Sequence, residues 1–214
     1  MIEIIQDKER WDDFIMAYRS ADFYHTYDYH VVAKGNGKPV LLKYSHGQDC
    51  IGLPLLIRRI PDTEFYDATS VYGYPGPLCD DLTVYFDSKH FTRELLDFFL
   101  KNRIVSVFSR MNPYTPLQLK VFESLGKIEK KGVIVSIDLE QDVDQQRKQF
   151  GRRLKGQLNK IRRHCYVKEA TSRKDIQEFI RIYHENMDRV NAKPMYYFDD
   201  HYFRVLSNIC SFNT

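Results

Sequence analysis

Residues 147–163 read RKQFGRRLKGQLNKIRR, and this stretch says more about the fold than any other part of the sequence. It contains eight Lys or Arg residues and no acidic residue. Its apolar residues Phe150, Leu154, Leu158 and Ile161 recur at steps of four, four and three, which predicts a helix with one narrow apolar stripe. Most of the cations fall on the opposite side. Such a concentration of like charge repels itself unless water, salt or an anionic partner screens it.

The composition of the whole chain indicates a folded protein. It has 214 residues, of which 43% are hydrophobic and 14% aromatic, and this is enough for a substantial core. The length fits one large or two small domains. The formal net charge is only +3, so the overall charge does not by itself indicate a nucleic-acid partner.

The cysteines and the N-terminus bear on location. The four cysteines are scattered without a C-x-x-C pair, which argues against a zinc site or a disulfide framework. Reduced thiols fit a cytoplasmic protein, and we expect that location. The charged N-terminus lacks the apolar run of a signal peptide, and no stretch approaches the roughly 18 apolar residues of a membrane span. We therefore expect no integral membrane segment.

Up to residue 140 the pattern alternates between strands and helices, which predicts an α+β (α/β layered) fold. Asp7 is placed to cap the first helix, and a Gly/Pro loop, VYGYPGPL, follows the fourth strand. The predicted strands cover residues 2–5, 40–45, 50–60, the start of 67–78, 104–109 and 132–139. The predicted helices follow Asp7 and cover residues 26–33, 91–101 and 116–125.

From residue 141 the chain is predicted to be mostly helical. The basic helix comes first, followed by a short strand at 166–169, a helix over 172–190 and a last helix that begins near Asp199 and carries Ile209. These helices have apolar stripes but only one short strand to cover them. This part is therefore predicted to be the opening of a domain whose sheet is missing.

Three segments of this half resemble the FemAB-like branch of the GNAT superfamily of acyl-CoA N-acyltransferases. They are GRRLKGQLNKIRRHCYVKEATS, FIRIYHENMDRVNA and YYFDDHYFRVL, and the N-terminal segments FYHTYDYH and VYGYPGPL fit the same family loosely. The resemblance implies a GNAT-like N-terminal domain over residues 1–140 and the helical opening part of a second GNAT-like domain over 141–214. It also implies a chain shortened at its C-terminus relative to the family.

The function implied by the resemblance is transfer of an acyl or aminoacyl group to an amine acceptor, such as an amino sugar, an amino acid or a cell-wall precursor. An active chain would be an N-acyltransferase or an aminoacyltransferase in cell-wall or polysaccharide biosynthesis. The donor in relatives is acyl-CoA or aminoacyl-tRNA, and the sequence does not decide between them. We expect no tightly bound donor here, because the glycine turn that holds pyrophosphate in GNAT proteins is missing.

The basic helix supplies the first candidate binding residues. Arg152, Lys155 and Arg162 carry charge that suits the phosphate groups of an anionic substrate or of tRNA. The alternative is a solvated face to which nothing specific binds. Lys34 follows the first aromatic helix, where the resemblance implies an anion-contacting lysine; the alternative is a solvated helix end.

Two further candidates come from aromatic segments. Tyr74 lies in the Gly/Pro loop, which could line an acceptor cleft or serve only as a rigid turn. The resemblance implies that Lys193 and Tyr197 reach the substrate, although Pro194 between them makes a shared helix doubtful.

The catalytic group stays unknown. The sequence contains no Ser/His/Asp set and no P-loop, and the histidines lack metal-ligand spacing. Acyl transfer to an amine needs positioning and oxyanion stabilisation rather than a nucleophilic residue. The alternative function is a non-catalytic module, a degenerate or split acyltransferase that binds an anionic glycan, nucleic acid or a partner subunit. In that case the exposed helix faces would form a homodimer or capture the missing part.

Overall fold

The computed structural model of the chain describes residues 1–206. The contacts divide these residues into two compact units, one formed by residues 1–129 with 201–206 and the other by residues 130–200. The first unit contains a five-stranded sheet with helices, and the second is helical. The predicted α+β class is therefore confirmed.

The elements of the first unit are, in chain order, β1 Ile2–Ile5, α1 Lys8–Met16, a 3-10 helix Phe23–His25, α2 Tyr27–Ala33, β2 Lys38–His46, β3 Asp49–Arg59, β4 Tyr66–Thr69, α3 Ser88–Lys101, β5 Ile104–Phe108 and α4 Leu117–Val121. The second unit contains α5 Val143–Lys148, α6 Arg152–Ile161, α7 Arg173–Arg189 and a 3-10 helix Pro194–Tyr196. The last described helix is α8, Asp200–Leu206, which belongs to the first unit from His201 onward.

The strands lie across the sheet in chain order, β1-β2-β3-β4-β5. Neighbours from β1 to β4 are antiparallel, whereas β5 runs parallel to β4. Parallel neighbours need a crossover connection, and the segment that contains α3 provides it. The carboxyl ends of β4 and β5 therefore point the same way, and this is where open sheets with parallel strands commonly bind ligands.

Alternate side chains of β2 show which helix covers each face of the sheet. Leu42 belongs to a core cluster with Phe91 of α3, whereas the adjacent Leu41 packs with Trp11 of α1. One face is therefore covered by α3 and the other by α1. The central strand β3 is buried throughout residues 51–56, as expected of its continuous apolar run IGLPLL.

Local signals located most elements correctly. Asp7 caps α1 by accepting a hydrogen bond from the Arg10 amide at 3.0 Å. Ser172 and Asp175 form the predicted capping box of α7. The predicted helix over 116–125 is shorter, because α4 ends at Val121.

Two predicted strands are wrong. Residues 132–139 and 166–169 form no strand, and their side chains are exposed, with 86% of Val133 and 88% of Val135 accessible. An apolar alternating pattern becomes a strand only where a neighbouring strand accepts its backbone hydrogen bonds. Residues 130–206 contain no strand that could serve as that neighbour.

The basic stretch forms two helices instead of the single predicted one. α5 ends at Lys148, and Gly151, with a poor helix propensity, is the N-cap of α6 in an extended conformation. The two helices contact each other through polar groups. Arg147 Nη2 donates to Asn159 Oδ1 at 2.9 Å, and Lys155 Nζ donates to the Lys148 carbonyl at 3.3 Å.

The assignment of residues 1–140 and 141–214 to two GNAT-like domains stays a prediction. Ile209 of the predicted last helix lies outside the described residues. Within residues 1–206, none of the helices combines the length and apolar character that crossing a bilayer requires.

Candidate functional site

A group of five tyrosines gathers at the start of α2 in the first unit, and we call it the tyrosine cluster: Tyr24, Tyr29, Tyr72, Tyr74 and Tyr202. The Tyr29 hydroxyl donates to the Tyr72 carbonyl at 3.0 Å and lies 3.3 Å from the Tyr202 hydroxyl. The Tyr24 ring lies 5.8 Å from the Tyr29 ring and 6.4 Å from the Tyr74 ring. The cluster thus joins residues from the N-terminal helices, the Gly/Pro loop and α8.

Two successive helix caps direct the N-terminal members of the cluster. The Asp22 carboxylate accepts from the Tyr24 amide at 2.9 Å and caps the 3-10 helix. The Thr26 hydroxyl then accepts from the Tyr29 amide and caps α2. Because each cap fixes the backbone at a helix start, Tyr24 and Tyr29 face the same core cluster.

The Gly/Pro loop approaches the cluster closely at Gly73. The φ angle of Gly73 is +115°, and a Cβ atom at this position would lie 2.2 Å from the Tyr24 ring. Further along, a Cβ at Gly76 would lie 2.1 Å from Gln118 Oε1. The buried Gln118 amide donates to the Pro77 carbonyl at 3.0 Å and accepts from a backbone amide. The loop is therefore held from two sides, and only glycine fits at both approaches.

Three phenols of the cluster, those of Tyr24, Tyr29 and Tyr202, have raised pKa values and keep their protons at neutral pH. Burial raises the pKa of Tyr24, and the Asp22 carboxylate and the neighbouring phenols raise it further. Burial is also the main reason that the pKa values of Tyr29 and Tyr202 are raised. The cluster can therefore act as a set of hydrogen-bond donors rather than as a base.

Arg110 lies just beyond the carboxyl ends of β4 and β5. Its guanidinium carbon is 5.0 Å from the Phe108 ring centre and 5.6 Å from the Tyr72 ring centre. Its backbone amide donates to Ser70 Oγ at 3.3 Å, which ties β5 to the residue after β4. No carboxylate in residues 1–206 pairs with this guanidinium. The adjacent Ser109 hydroxyl is buried, and nothing in the described chain hydrogen-bonds to it.

Sequence reasoning missed Arg110. The available signal was a cation directly after the predicted strand 104–109. Residues at the carboxyl ends of parallel strands commonly contact ligands, so a parallel partner makes such a position a candidate for binding. The pairing direction of that strand was not predictable from local pattern alone.

The predicted residues of the first unit lie in different surroundings. Tyr74 belongs to the tyrosine cluster and is 40% exposed. Lys34 is exposed at the other end of α2, where its carbonyl accepts from the Gly37 amide. Their roles in substrate binding stay predictions.

The predicted cations of the second unit lie on or next to α6. Arg152 and Arg162 are exposed and Lys155 is half-buried. None of the eight cations of residues 147–163 forms an ion pair with a carboxylate of the described chain. Arg147, which was not among the predicted site residues, also has a buried Nη1 atom without a partner in residues 1–206. The positive charge of the stretch is thus uncompensated within the part of the molecule that the structure describes.

Lys193 and Tyr197 do not share an α-helix. Lys193 is exposed and precedes the 3-10 helix Pro194–Tyr196, and Tyr197 follows that helix. The Tyr197 hydroxyl donates to Asp188 Oδ1 at 2.9 Å, and this hydrogen bond raises the pKa of Tyr197. The structure therefore pairs Tyr197 with a carboxylate on α7 rather than with Lys193.

The buried histidine His30 is anchored through one ring nitrogen and its ring face. His30 Nδ1 donates to the Thr26 carbonyl at 2.9 Å, and its ring packs against Trp11. Within residues 1–206, no group of three or more His, Cys, Asp or Glu residues is arranged to hold a metal ion. The free thiols of the described chain are Cys50, Cys79 and Cys165, and Cys210 lies outside it.

Comparison with known proteins gives a match at the level of fold. No family model matches the chain, and no curated protein matches it. Its fold is similar to the fold seen in the crystal structure of FemX, with a TM-score of 0.61 and 13% sequence identity. The match covers 96% of this chain and 54% of FemX, so the chain spans about half the length of that protein. The likeness supports the predicted FemAB-like relationship in fold.

Proposed function

We propose that this chain is an acyltransferase-type protein that transfers an acyl or aminoacyl group to an amine acceptor. The acceptor would be an amino sugar, an amino acid or a cell-wall precursor. The observation that carries the proposal is the FemX-like fold over 96% of the chain. The FemAB-like sequence segments support it independently, because that resemblance lies in the residue types and their order rather than in the path of the backbone.

The tyrosine cluster supports an acceptor site in the first unit. The phenols of Tyr24, Tyr29 and Tyr202 are protonated, and Tyr74 presents a partly exposed ring on a loop that is held rigidly. Acyl transfer to an amine can proceed without a nucleophilic side chain if the reactants are positioned and hydrogen-bond donors meet the developing oxyanion. Fixed phenol donors suit both tasks. We propose Tyr74 as an acceptor-binding residue on this basis, and Lys34 on the basis of the sequence resemblance.

The uncompensated cations support a phosphate-bearing substrate. Arg152, Lys155 and Arg162 present charge that no carboxylate of the described residues neutralises. Acyl-CoA and aminoacyl-tRNA both carry phosphates, and one guanidinium group can donate two parallel hydrogen bonds to a phosphate. We retain Lys193 and Tyr197 as proposed substrate contacts, with the Asp188 hydrogen bond as a competitor for Tyr197.

The test is a transfer assay with both donor classes. The purified chain is incubated with acetyl-CoA and glucosamine or alanine, and separately with alanyl-tRNA and a lysine-containing cell-wall precursor. Mass spectrometry of the acceptor should detect an added acyl or alanyl group in one arm. A parallel salt titration of donor binding should be steep for tRNA and shallow for the thioester. No transfer and no donor binding in either arm would contradict the proposal.

A non-catalytic interaction module is the second candidate, and one observation favours it. Apolar side chains of the second unit are widely exposed, with 86% of Val133, 88% of Val135 and all of Val167 accessible. Large exposed apolar surfaces often mark sites of association. Light scattering at several protein concentrations tests this candidate. A mass that rises toward a dimer, together with no transfer activity, would favour the module over the enzyme.

A further inference from the structure

Arg110 is held at the sheet end by contacts that leave its hydrogen-bonding edge unused. The ring centres of Phe108 and Tyr72 lie 5.0 and 5.6 Å from the guanidinium carbon, within the range of a cation–π contact. The guanidinium N–H groups have no hydrogen-bond partner in residues 1–206. They form a planar fork of donors.

The charge of Arg110 has no counterion in residues 1–206. A guanidinium that faces two aromatic rings is partly removed from water, and cation–π attraction offsets only part of that loss. A carboxylate or phosphate that accepts two parallel N–H bonds complements these donors better than a single water molecule does. The surroundings of Arg110 therefore favour an anion as its partner.

A buried hydroxyl without a partner lies one residue away. The Ser109 hydroxyl is buried and has no hydrogen-bond partner in the described chain. Leaving a buried hydroxyl unsatisfied is destabilising, so such groups usually serve a water or a ligand. Ser109 and Arg110 both follow the carboxyl end of β5, beside its parallel neighbour β4.

The aromatic rings near Arg110 define the remainder of the ligand. Phe108 is 53% exposed and Tyr72 is 49% exposed. Partly exposed rings beside a cation favour a ligand that combines an anionic group with an apolar or ring portion. An ion such as inorganic phosphate would use only the guanidinium.

We propose that Arg110, with Phe108 and Tyr72, binds the carboxylate or phosphate of a small organic anion that also carries an apolar or ring portion. The proposal deepens the proposed function by naming the substrate class of the acceptor side. It is tested by binding alone, so that failure of transfer and failure of binding are separate results.

The experiment follows the arginine Nε–Hε signals of the 15N-labelled full chain by NMR, with Arg110 assigned from the Arg110→Lys variant. Four probes are titrated: phenyl phosphate, benzoate, inorganic phosphate and the neutral phenyl glucoside. The Arg110 signal should shift and saturate with phenyl phosphate or benzoate, and the tighter of the two identifies the anionic group. Phenyl glucoside should bind at least tenfold more weakly, because it cannot form the charge-assisted hydrogen bonds that an anion forms with the guanidinium.

Variants separate the two parts of the site. Isothermal titration calorimetry measures the affinities of the variants and the parent. Arg110→Lys keeps the positive charge but loses the two parallel guanidinium donors, and we expect it to bind phenyl phosphate about tenfold more weakly. Phe108→Leu should weaken phenyl phosphate and leave inorganic phosphate unchanged. Arg93→Lys, at an exposed position of α3, is the matched control and should change neither affinity. Circular dichroism melting verifies that each variant is folded.

Three results would overturn the proposal. The first is an Arg110→Lys variant that binds phenyl phosphate as the parent does. The second is an anion-induced shift at Arg110 no larger than the shift at Arg93. The third is binding of phenyl glucoside as tight as that of the anions. Anion binding without transfer would instead support the site and count against the proposed reaction alone.

Discussion

The hydroxyl oxygens of Tyr29 and Tyr202 lie 3.3 Å apart, although 173 residues separate them in the sequence. The single proton of Tyr29 goes to the Tyr72 carbonyl, so the Tyr29 oxygen is the acceptor for Tyr202. This short relay connects α2, the Gly/Pro loop and α8. It makes the stability of the first unit depend on residues from both ends of the described chain.

Replacing Tyr29 with Phe tests this relay. The variant keeps the ring in the core but leaves the Tyr72 carbonyl without its donor, which should lower the free energy of unfolding by about 1–2 kcal/mol. Urea denaturation at neutral pH measures the change. Tyr27→Phe is the matched control, since Tyr27 contacts Trp11 through its ring, and we expect less than about 0.5 kcal/mol from it. Equal effects of the two substitutions would contradict the relay.

Replacing each of three glycines with alanine should change the free energy of unfolding by amounts that differ in size and sign. Gly73→Ala meets both a left-handed φ of +115° and the Tyr24 ring at 2.2 Å, so we expect a loss of roughly 3 kcal/mol or more. Gly126→Ala has a φ of +101° but open space around it, and only the backbone strain of about 1–2 kcal/mol should appear. Gly156→Ala lies within α6 with open space and should gain up to about 1 kcal/mol.

Thermal and urea unfolding of the three variants give the comparison. The difference between Gly73→Ala and Gly126→Ala isolates the steric contact with Tyr24. If both variants lose the same stability, the loop does not need a close approach at Gly73. A loss at Gly156 would show that this position is crowded by something beyond residues 1–206.

The features that sequence reasoning predicted are those with local causes. The cap at Asp7 and the capping box at Ser172 act within one helical turn, so the residues themselves specify where α1 and α7 begin. The FYHTYDYH and YYFDDHYFRVL segments are similar as tyrosine-rich helix starts. That they meet through Tyr29 and Tyr202 is a property of the tertiary structure.

The features that sequence reasoning missed depend on neighbours. Residues 132–139 have a strand pattern but no partner strand among residues 130–206, so the pattern alone gave the wrong element. Arg110 is a candidate binding residue because β5 runs parallel to β4 and because two aromatic rings lie beside its guanidinium. Neither the pairing direction nor the ring contacts follow from any window of sequence around residue 110.

The basic stretch predicts a salt-dependent interaction. If the uncompensated cations bind tRNA phosphates, the triple variant Arg152→Gln, Lys155→Gln, Arg162→Gln should bind tRNA more weakly. The negative slope of log K against log salt should become shallower by about two. Fluorescence anisotropy with labelled tRNA across a salt series measures both quantities. Arg181→Gln is the control, because Arg181 already pairs with Glu178 on α7. An unchanged slope in the triple variant would remove these residues from the proposed site.

Acid should destabilise the first unit through His30. Burial lowers the pKa of His30 from 6.5 to about 4, although its hydrogen bond to the Thr26 carbonyl acts in the opposite direction. The unfolded state therefore binds a proton before the folded state does as pH falls, and stability is full above pH 6.5 and declines toward pH 4. At roughly 1.4 kcal/mol per pKa unit, the contribution of His30 to this decline is about 3 kcal/mol.

His30→Asn keeps a donor for the Thr26 carbonyl but cannot titrate, so the urea midpoints of this variant should fall less between pH 6.5 and 4 than those of the parent. The carboxylates titrate in both proteins, so a His30→Asn curve parallel to the parent would show that His30 is not the group responsible.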